Sequence, residues 1–246
     1  LNHRPSPYTQ WRSCYRPGSL VDLNASGPTL HRGGQSNWMI AEEVLDFLTE
    51  HVNEDSVTVE TGAGYSTIVF AQLGAQHTAI TPAADEVQRI TAYCKERGIA
   101  TDRTTFKIGY SQDVLPDLEI TDLDLALIDG GHGFPIPAID YFYLAPRLRI
   151  GGYLLIDDVD VWTGHMIVSV LKREPEWEFR GKLARRTAVF RKTAPFVARE
   201  WCDQPTVVSK SRVRMFVRKA ANGTEHLLKG DFKGVRERIE RARNPL

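Results

Sequence analysis

The feature that most constrains the fold is a short stretch in which a strand-forming segment runs through two glycines into a helix. Residues 56–60 read Ser-Val-Thr-Val-Glu and are rich in residues that favour strands. Gly62 and Gly64 follow, and residues 68–73 then form an apolar helical run. Glycine lets the backbone approach a ligand closely, and the first turn of a helix presents unpaired N–H groups. This turn therefore predicts a cradle for a nucleotide-sized ligand.

The rest of the chain repeats the alternation of strand and helix. The predicted strands are 56–60, 76–81, 104–108, 123–128, 152–156, 176–183 and 186–192. The predicted helices after the first strand are 65–73, 84–97, a short turn at 111–115, 136–147 and 162–173. This pattern predicts an α/β fold, a doubly wound, mostly parallel seven-stranded sheet closed by an antiparallel pair. In such sheets, ligands bind at the carboxyl ends of the strands.

Three regions are predicted along the chain. Residues 1–35 are rich in Pro, Gly, Ser and Asn and are expected to form an irregular N-terminal arm. Residues 36–193 form the main domain, which begins with a helix capped by Ser36. Residues 194–246 carry 12 Lys and Arg but only 6 Asp and Glu, so they form a basic extension on a chain of net charge zero. Within it, residues 206–218 could be a strand with one basic face, and 232–243 a short basic helix.

Composition points to a cytoplasmic protein without a membrane partner. No run of 18 apolar residues is present. The first residues lack the apolar core of a signal peptide. Three widely spaced cysteines favour a reducing compartment over a disulfide scaffold.

The glycine turn also separates classes of cofactor. The dinucleotide fingerprint needs a third glycine at the position of Thr67, so that match is incomplete. Glu60 would repel a pyrophosphate but would suit a ligand with a positive end, such as S-adenosylmethionine, which carries a sulfonium and an ammonium group. The alternative is an ordinary strand–helix turn with a surface acid.

Three acids follow the fourth and fifth predicted strands: Asp129, Asp157 and Asp158. Because these strands are expected to be neighbours, the carboxylates would repel one another unless a cation lies among them. Hard oxygen ligands favour Mg²⁺ or another divalent cation. His132 lies three residues beyond Asp129 in a glycine-flanked turn and could act as a general base. The alternatives are a helix cap with solvated neighbours for the acids, and a local hydrogen bond for the histidine.

With these residues in place, the chain resembles class I S-adenosylmethionine-dependent methyltransferases. The segments 60–66 (Glu-Thr-Gly-Ala-Gly-Tyr-Ser) and 109–113 (Gly-Tyr-Ser-Gln-Asp), with Asp129 and 157–158 (Asp-Asp), are similar in order and spacing to the catechol O-methyltransferase-like group. They are also similar to bacterial metal-dependent sugar O-methyltransferases. The resemblance covers about residues 36–193.

The resemblance implies a role for each matching residue. The residues implied to bind S-adenosylmethionine are Glu60, Gly62, Ala63, Gly64, Ser66, Thr81, Ser111, Gln112 and Asp129. Asp129, Asp157 and Asp158 would hold the divalent cation, and His132, with Asp129, would be catalytic. One departure is the second strand, which ends in Thr81 where these families place a ribose-binding acid. Thr81 could substitute for it, or Asp85 could reach back from the next helix.

The predicted function is O-methylation of a small-molecule hydroxyl on a diol, catechol or sugar, assisted by a divalent cation. Two alternatives stay open: a non-catalytic binding protein on a methyltransferase scaffold, and a nicotinamide-dependent oxidoreductase. Nucleic acid is disfavoured as a substrate because the chain lacks an Asn-Pro-Pro-Tyr-type motif. Trp162 could line the acceptor pocket or belong to the core, as could Trp11, Trp38 and Trp201. A homo-oligomer contact through the arm or the extension stays open.

Overall fold

A computed structural model describes residues 27–36 and 40–228 of the chain. It contains two compact units, Leu1–Val197 and Ala198–Leu246. The predicted helix at 232–243 and most of the predicted arm lie outside the described residues, as do Trp11 and Trp38.

The first unit is built on the predicted sheet. Its strands are β1 (Val57–Thr61), β2 (Gln76–Thr81), β3 (Thr104–Ile108), β4 (Leu123–Ile128), β5 (Leu148–Ile156), β6 (Trp177–Leu183) and β7 (Thr187–Lys192). Their order in the sheet is β3-β2-β1-β4-β5-β7-β6. The first five strands are parallel, and β7 pairs antiparallel with both β5 and β6. The prediction of a doubly wound, mostly parallel seven-stranded sheet is therefore confirmed.

The helices of this unit cover both faces of the sheet. They are α1 (Glu42–His51), α2 (Tyr65–Gln72), α3 (Ala84–Glu96), the short α4 (Ser111–Val114), α5 (Ile136–Arg147) and α6 (Trp162–Leu171). Successive residues of the central strands point to opposite faces, which produces two hydrophobic clusters. Leu125 and Leu127 pack with α1, α2 and α3, whereas Ala126 and Ile128 pack with α5 and α6.

Two boundaries differ from the predicted ones. The first helix begins at Glu42 rather than at Ser36, whose backbone instead accepts a hydrogen bond from the N–H of His31 (3.1 Å). The fifth strand begins at Leu148, four residues before the predicted start. Arg149 and the two glycines at 151–152 interrupt the apolar pattern, although the strand continues through Gly151 (φ +90°) with a shift in its register against β4.

The last residues of the predicted arm are packed against the main unit. Leu30 is fully buried in the core. The carbonyl of Pro28 accepts a hydrogen bond from the Tyr65 hydroxyl (2.8 Å), and that of Leu30 accepts one from Arg89 Nε (2.6 Å). Residues 28–31 therefore belong to the folded structure around α2 and α3.

The second unit contains a 24-residue helix, α7 (Pro205–Leu228). The strand predicted at 206–218 is therefore wrong. Basic and apolar residues alternate irregularly here, and the long helix satisfies its own backbone hydrogen bonds where an isolated strand could not. No described helix is long and apolar enough to span a membrane.

Candidate active site

The turn after β1 comes into close contact with the turn after β4. Gly62 has φ +93°, and a side chain there would collide with the carbonyl oxygen of Asp129. The Asp129 N–H donates to the carbonyl of Thr61 (3.1 Å), and the Gly62 N–H donates to the carbonyl of Ile80 (2.8 Å). Glycine is required at position 62 because both the backbone conformation and the available space exclude a side chain. Of the predicted cofactor residues, Gly62 therefore lies directly against Asp129, while Gly64 lies against the His31 ring.

Glu60, the acid at the end of β1, is buried in a polar network below this turn. Its side chain is only 1% exposed, and both of its oxygens accept hydrogen bonds. Ser66 donates to Oε2 (2.5 Å), while Thr67 and His77 (3.1 Å) donate to Oε1. Thr67 also accepts from the Gly64 N–H (2.9 Å), so the network holds the first turn of α2.

The structure therefore places Glu60 and Ser66 in a hydrogen-bond network that supports the cradle. Ser66, predicted to lie beside the cofactor carboxylate, is buried and donates to Glu60 instead. His77 was missed by the sequence reasoning, although a histidine inside a strand of a buried parallel sheet was a usable signal. Thr58 donates to His77 Nδ1 (2.8 Å), which leaves Nε2–H to donate to Glu60.

An acid does reach the end of β2, but it is Glu86 of α3. The Thr81 hydroxyl lies 3.4 Å from Glu86 Oε2, and His31 Nδ1 lies 3.1 Å from Glu86 Oε1. Asp85 points elsewhere, since it pairs with Arg89 at 2.7 Å. The idea that Asp85 reaches back is therefore corrected: the next residue along the helix does so.

A buried acid lies beneath the predicted adenine edge. Ser111 is buried at the start of α4, and Gln112 beside it is half-buried. Asp140 of α5 is fully buried, and burial raises the pKa of its carboxyl, an effect that the nearby hydroxyls of Ser111 and Thr61 partly offset. Within the described part of the chain, neither Asp140 oxygen nor the Thr61 hydroxyl has a hydrogen-bond partner of normal geometry. Orphaned buried polar atoms of this kind mark a place where a bound ligand or water completes the structure.

The three predicted acids do converge at the ends of β4 and β5. Burial raises the pKa of Asp129 well above its usual range, and the charges of Asp157, Glu60 and Asp158 raise it further, whereas Arg186 lowers it. A carboxyl in this position resists ionisation first because it is buried and then because other acids lie close to it.

The positive charge among these acids is supplied by the chain itself. Arg186 Nη2 donates to Asp157 Oδ2 (2.9 Å) and to Asp158 Oδ1 (2.5 Å). Thr187 donates to the other oxygen of Asp157, and His132 Nε2 lies 3.1 Å from the other oxygen of Asp158. Burial lowers the pKa of Arg186, but the two aspartates outweigh it and raise the pKa on balance. The sequence reasoning missed Arg186.

The described residues do not fit the predicted divalent ion. All four carboxylate oxygens of Asp157 and Asp158 are already in contact with Arg186, Thr187 or His132. Over residues 27–36 and 40–228, no group of three or more His, Cys, Asp or Glu side chains has an arrangement that could hold a metal ion. A divalent ion takes about six oxygen ligands, so it would have to displace the guanidinium.

His132 is held at the rim of this cluster. Its carbonyl accepts a hydrogen bond from the Thr163 hydroxyl of α6 (2.7 Å), and its side chain is 35% exposed. Two exposed aromatic side chains flank it: Phe134 and Trp162, whose ring centroids are 6.2 Å apart. Trp162 is thus an exposed residue and does not belong to the core.

Residues 59–159 match a family model described as a methyltransferase domain. The match begins in β1 and ends just after Asp158, so it spans the glycine turn, the buried Glu60 and the three converging acids. A comparison with curated proteins found no match.

Solved structures of methyltransferases share the fold of the main unit. A candidate O-methyltransferase from Klebsiella pneumoniae is 19% identical, with a TM-score of 0.56 over 68% of this chain and 87% of the other. A candidate caffeoyl-CoA O-methyltransferase from Staphylococcus aureus is 15% identical, with a TM-score of 0.55 over 63% and 85%. The O-methyltransferase TomG from Streptomyces achromogenes, solved with S-adenosylmethionine, is 16% identical, with a TM-score of 0.50 over 61% and 78%. At such low identities, the likeness establishes the class I methyltransferase fold alone.

Proposed function

We propose that this chain is an S-adenosylmethionine-dependent O-methyltransferase that acts on a hydroxyl of a small molecule. The observation that carries the proposal is the contact between His132 Nε2 and Asp158 Oδ2 (3.1 Å) at the rim of a methyltransferase cradle. A histidine oriented by a carboxylate can take a proton from a hydroxyl, which is the one acid–base step that O-methylation requires of the protein.

The cradle suits S-adenosylmethionine, which would supply an already activated methyl group. The backbone of Gly62, Ala63 and Gly64, at the N-terminal end of α2, would hold the amino-acid end. Glu86 and Thr81 would meet the ribose hydroxyls in place of an acid at the end of β2. The adenine would lie over Ser111 and Gln112.

The chain's own residues would move the proton. Because the Asp158 carboxylate faces Nε2 of His132, it favours the tautomer with hydrogen on Nε2 and a basic lone pair on Nδ1. The proton of the acceptor hydroxyl would pass to Nδ1, and the resulting imidazolium would be stabilised by Asp158. No step of this proposal uses a divalent ion.

The surroundings of His132 favour a small acceptor with an apolar or aromatic face. Phe134 and Trp162 are 68% and 64% exposed; Phe134 lies on the turn that carries His132, and Trp162 is the first residue of α6. A catechol ring or the apolar face of a sugar could stack on such a pair. Catechols, vicinal diols and sugars therefore remain the acceptors to test.

The first experiment is a titration of S-adenosylmethionine into the protein by calorimetry, followed by a screen of catechol and sugar acceptors for methylated product. We expect binding in the wild type and a loss of turnover of about 10²-fold or more in His132→Gln, with cofactor affinity retained. His165→Gln is the matched control, because His165 is an exposed histidine of α6. Absence of cofactor binding would contradict the proposal and favour a non-catalytic binding protein.

A further inference from the structure

The acid cluster at the ends of β4 and β5 has a positive side chain built into it. Arg186 Nη2 bridges the two carboxylates of Asp157 and Asp158 at 2.9 and 2.5 Å. Asp129 lies close enough to interact electrostatically with Asp157, Asp158 and Arg186. The guanidinium therefore lies at the position where a positive charge reduces the repulsion among the three acids.

The fold holds Arg186 in this position through the pairing of β5 with β7. The two strands are antiparallel with Ile156 opposite Ala188, and continuing this register places Arg186 opposite Asp158. The backbone confirms the placement, since the Val159 N–H donates to the Arg186 carbonyl (2.9 Å). Arg186 is thus the last residue of the turn between β6 and β7, and its backbone is fixed next to the start of β7.

The contacts of the acids leave little room for a second cation. Thr187 occupies the remaining oxygen of Asp157, and His132 faces the remaining oxygen of Asp158. Arg186 Nε is buried without an acceptor within the described part of the chain, so the side chain keeps this position despite an unsatisfied donor. The two bridging contacts must outweigh that cost.

We infer that Arg186 is the resident cation of the active site and replaces the divalent ion that a cluster of acids at this place would otherwise bind. Its guanidinium neutralises Asp157 and Asp158 and holds Asp158 against His132, so that the site is complete without a metal. Arg186 is a positioning residue, because it acts through the aspartates. The inference rests on the proposed function for the role of the site, but metal binding can be measured without an acceptor.

The test is Mn²⁺ binding, measured by electron paramagnetic resonance on the full chain. We expect no binding to the wild type at a Kd of about 10⁻³ M or tighter, the weak end of protein cation sites. Arg186→Gln removes the charge and frees carboxylate oxygens, so it should bind Mn²⁺ at least about tenfold more tightly. Arg186→Lys keeps a positive charge and should not gain binding.

Arg180→Gln is the matched control, because Arg180 is 41% exposed against 39% for Arg186 and pairs with Glu178 away from the cluster. It should behave as the wild type does. Mn²⁺ binding by the wild type that is lost in Asp157→Asn would overturn the inference, and so would a folded Arg186→Gln that gains no binding. Cofactor titration of the same samples separates this result from failure of the proposed function.

Discussion

His132 and Asp158 form a contact of 3.1 Å between Nε2 and Oδ2, although they lie on the turns after two different strands. β4 and β5 are adjacent and parallel, so their carboxyl ends deliver both turns to one edge of the sheet. The side chain that could accept a proton and the carboxylate that orients it are therefore brought together by topology.

Replacing Asp158 with Asn should lower kcat strongly with little change in cofactor affinity. The amide carries no charge, so it accepts the hydrogen bond from His132 Nε2–H more weakly than the carboxylate does. It also cannot stabilise the imidazolium by charge. We expect a loss of about 10²-fold or more in kcat and a change in the pH profile of turnover. Asp160→Asn, an exposed acid two residues further along, should leave both properties unchanged.

Replacing Glu86 with Gln should weaken binding of S-adenosylmethionine. Glu86 is the acid nearest the end of β2, and loss of a charge-assisted hydrogen bond costs about 1.5–3 kcal/mol, or roughly tenfold or more in affinity. Calorimetric titration measures the effect. Asp85→Asn is the control, because Asp85 pairs with Arg89. An equal loss of affinity in that variant would contradict the assignment of this role to Glu86.

Replacing Asp129 with Asn should stabilise the protein at neutral pH. Its pKa is raised on folding, so as pH rises the unfolded chain loses this proton first and the stability of the folded state falls. Asparagine does not titrate, so the variant avoids this loss of stability, which amounts to about 1.4 kcal/mol for each unit by which folding raises the pKa of Asp129. Urea unfolding at pH 4 and pH 7 tests this: the gap between variant and wild type should be larger at pH 7. A gap that does not change with pH would show that Asp129 does not titrate as described.

Replacing His77 with Leu should destabilise the fold around the glycine turn. The substitution removes a donor to the buried Glu60 and the partner of Thr58, and leaving a buried polar group short of a partner costs about 1–3 kcal/mol. The free energy of unfolding in urea measures this loss. His165→Leu, at an exposed position, should change it by less than about 0.5 kcal/mol.

Much of the fold was readable from the sequence because strands and helices of this class carry local signals. The strand at 123–128 and the helix at 136–147 have the predicted bounds, since each is a continuous apolar or amphipathic segment between clear breakers. The helix α7 was misread as a strand because its basic and apolar residues follow no single period.

Part of the candidate site could also be predicted, because four of its residues come shortly after predicted strands. Asp129, Asp157, Asp158 and His132 follow strands, so the sheet topology alone predicts that they converge. Arg186 was not found, although an antiparallel pairing of the last strand with β5 would have placed the turn before it opposite the two aspartates. That inference requires the pairing register, which composition and periodicity do not contain.

The sequence by itself determined the order of strands and helices, the glycine turn and the gathering of acids at one edge of the sheet. Only the tertiary structure decided which partners those acids have. Glu60 turned inward to Ser66, Thr67 and His77, and Arg186, 28 residues from Asp158, took the place expected for a metal ion. The reason is physical: periodicity is a local property of the chain, whereas the partner of a buried charge depends on register and on which donors packing brings within about 3 Å.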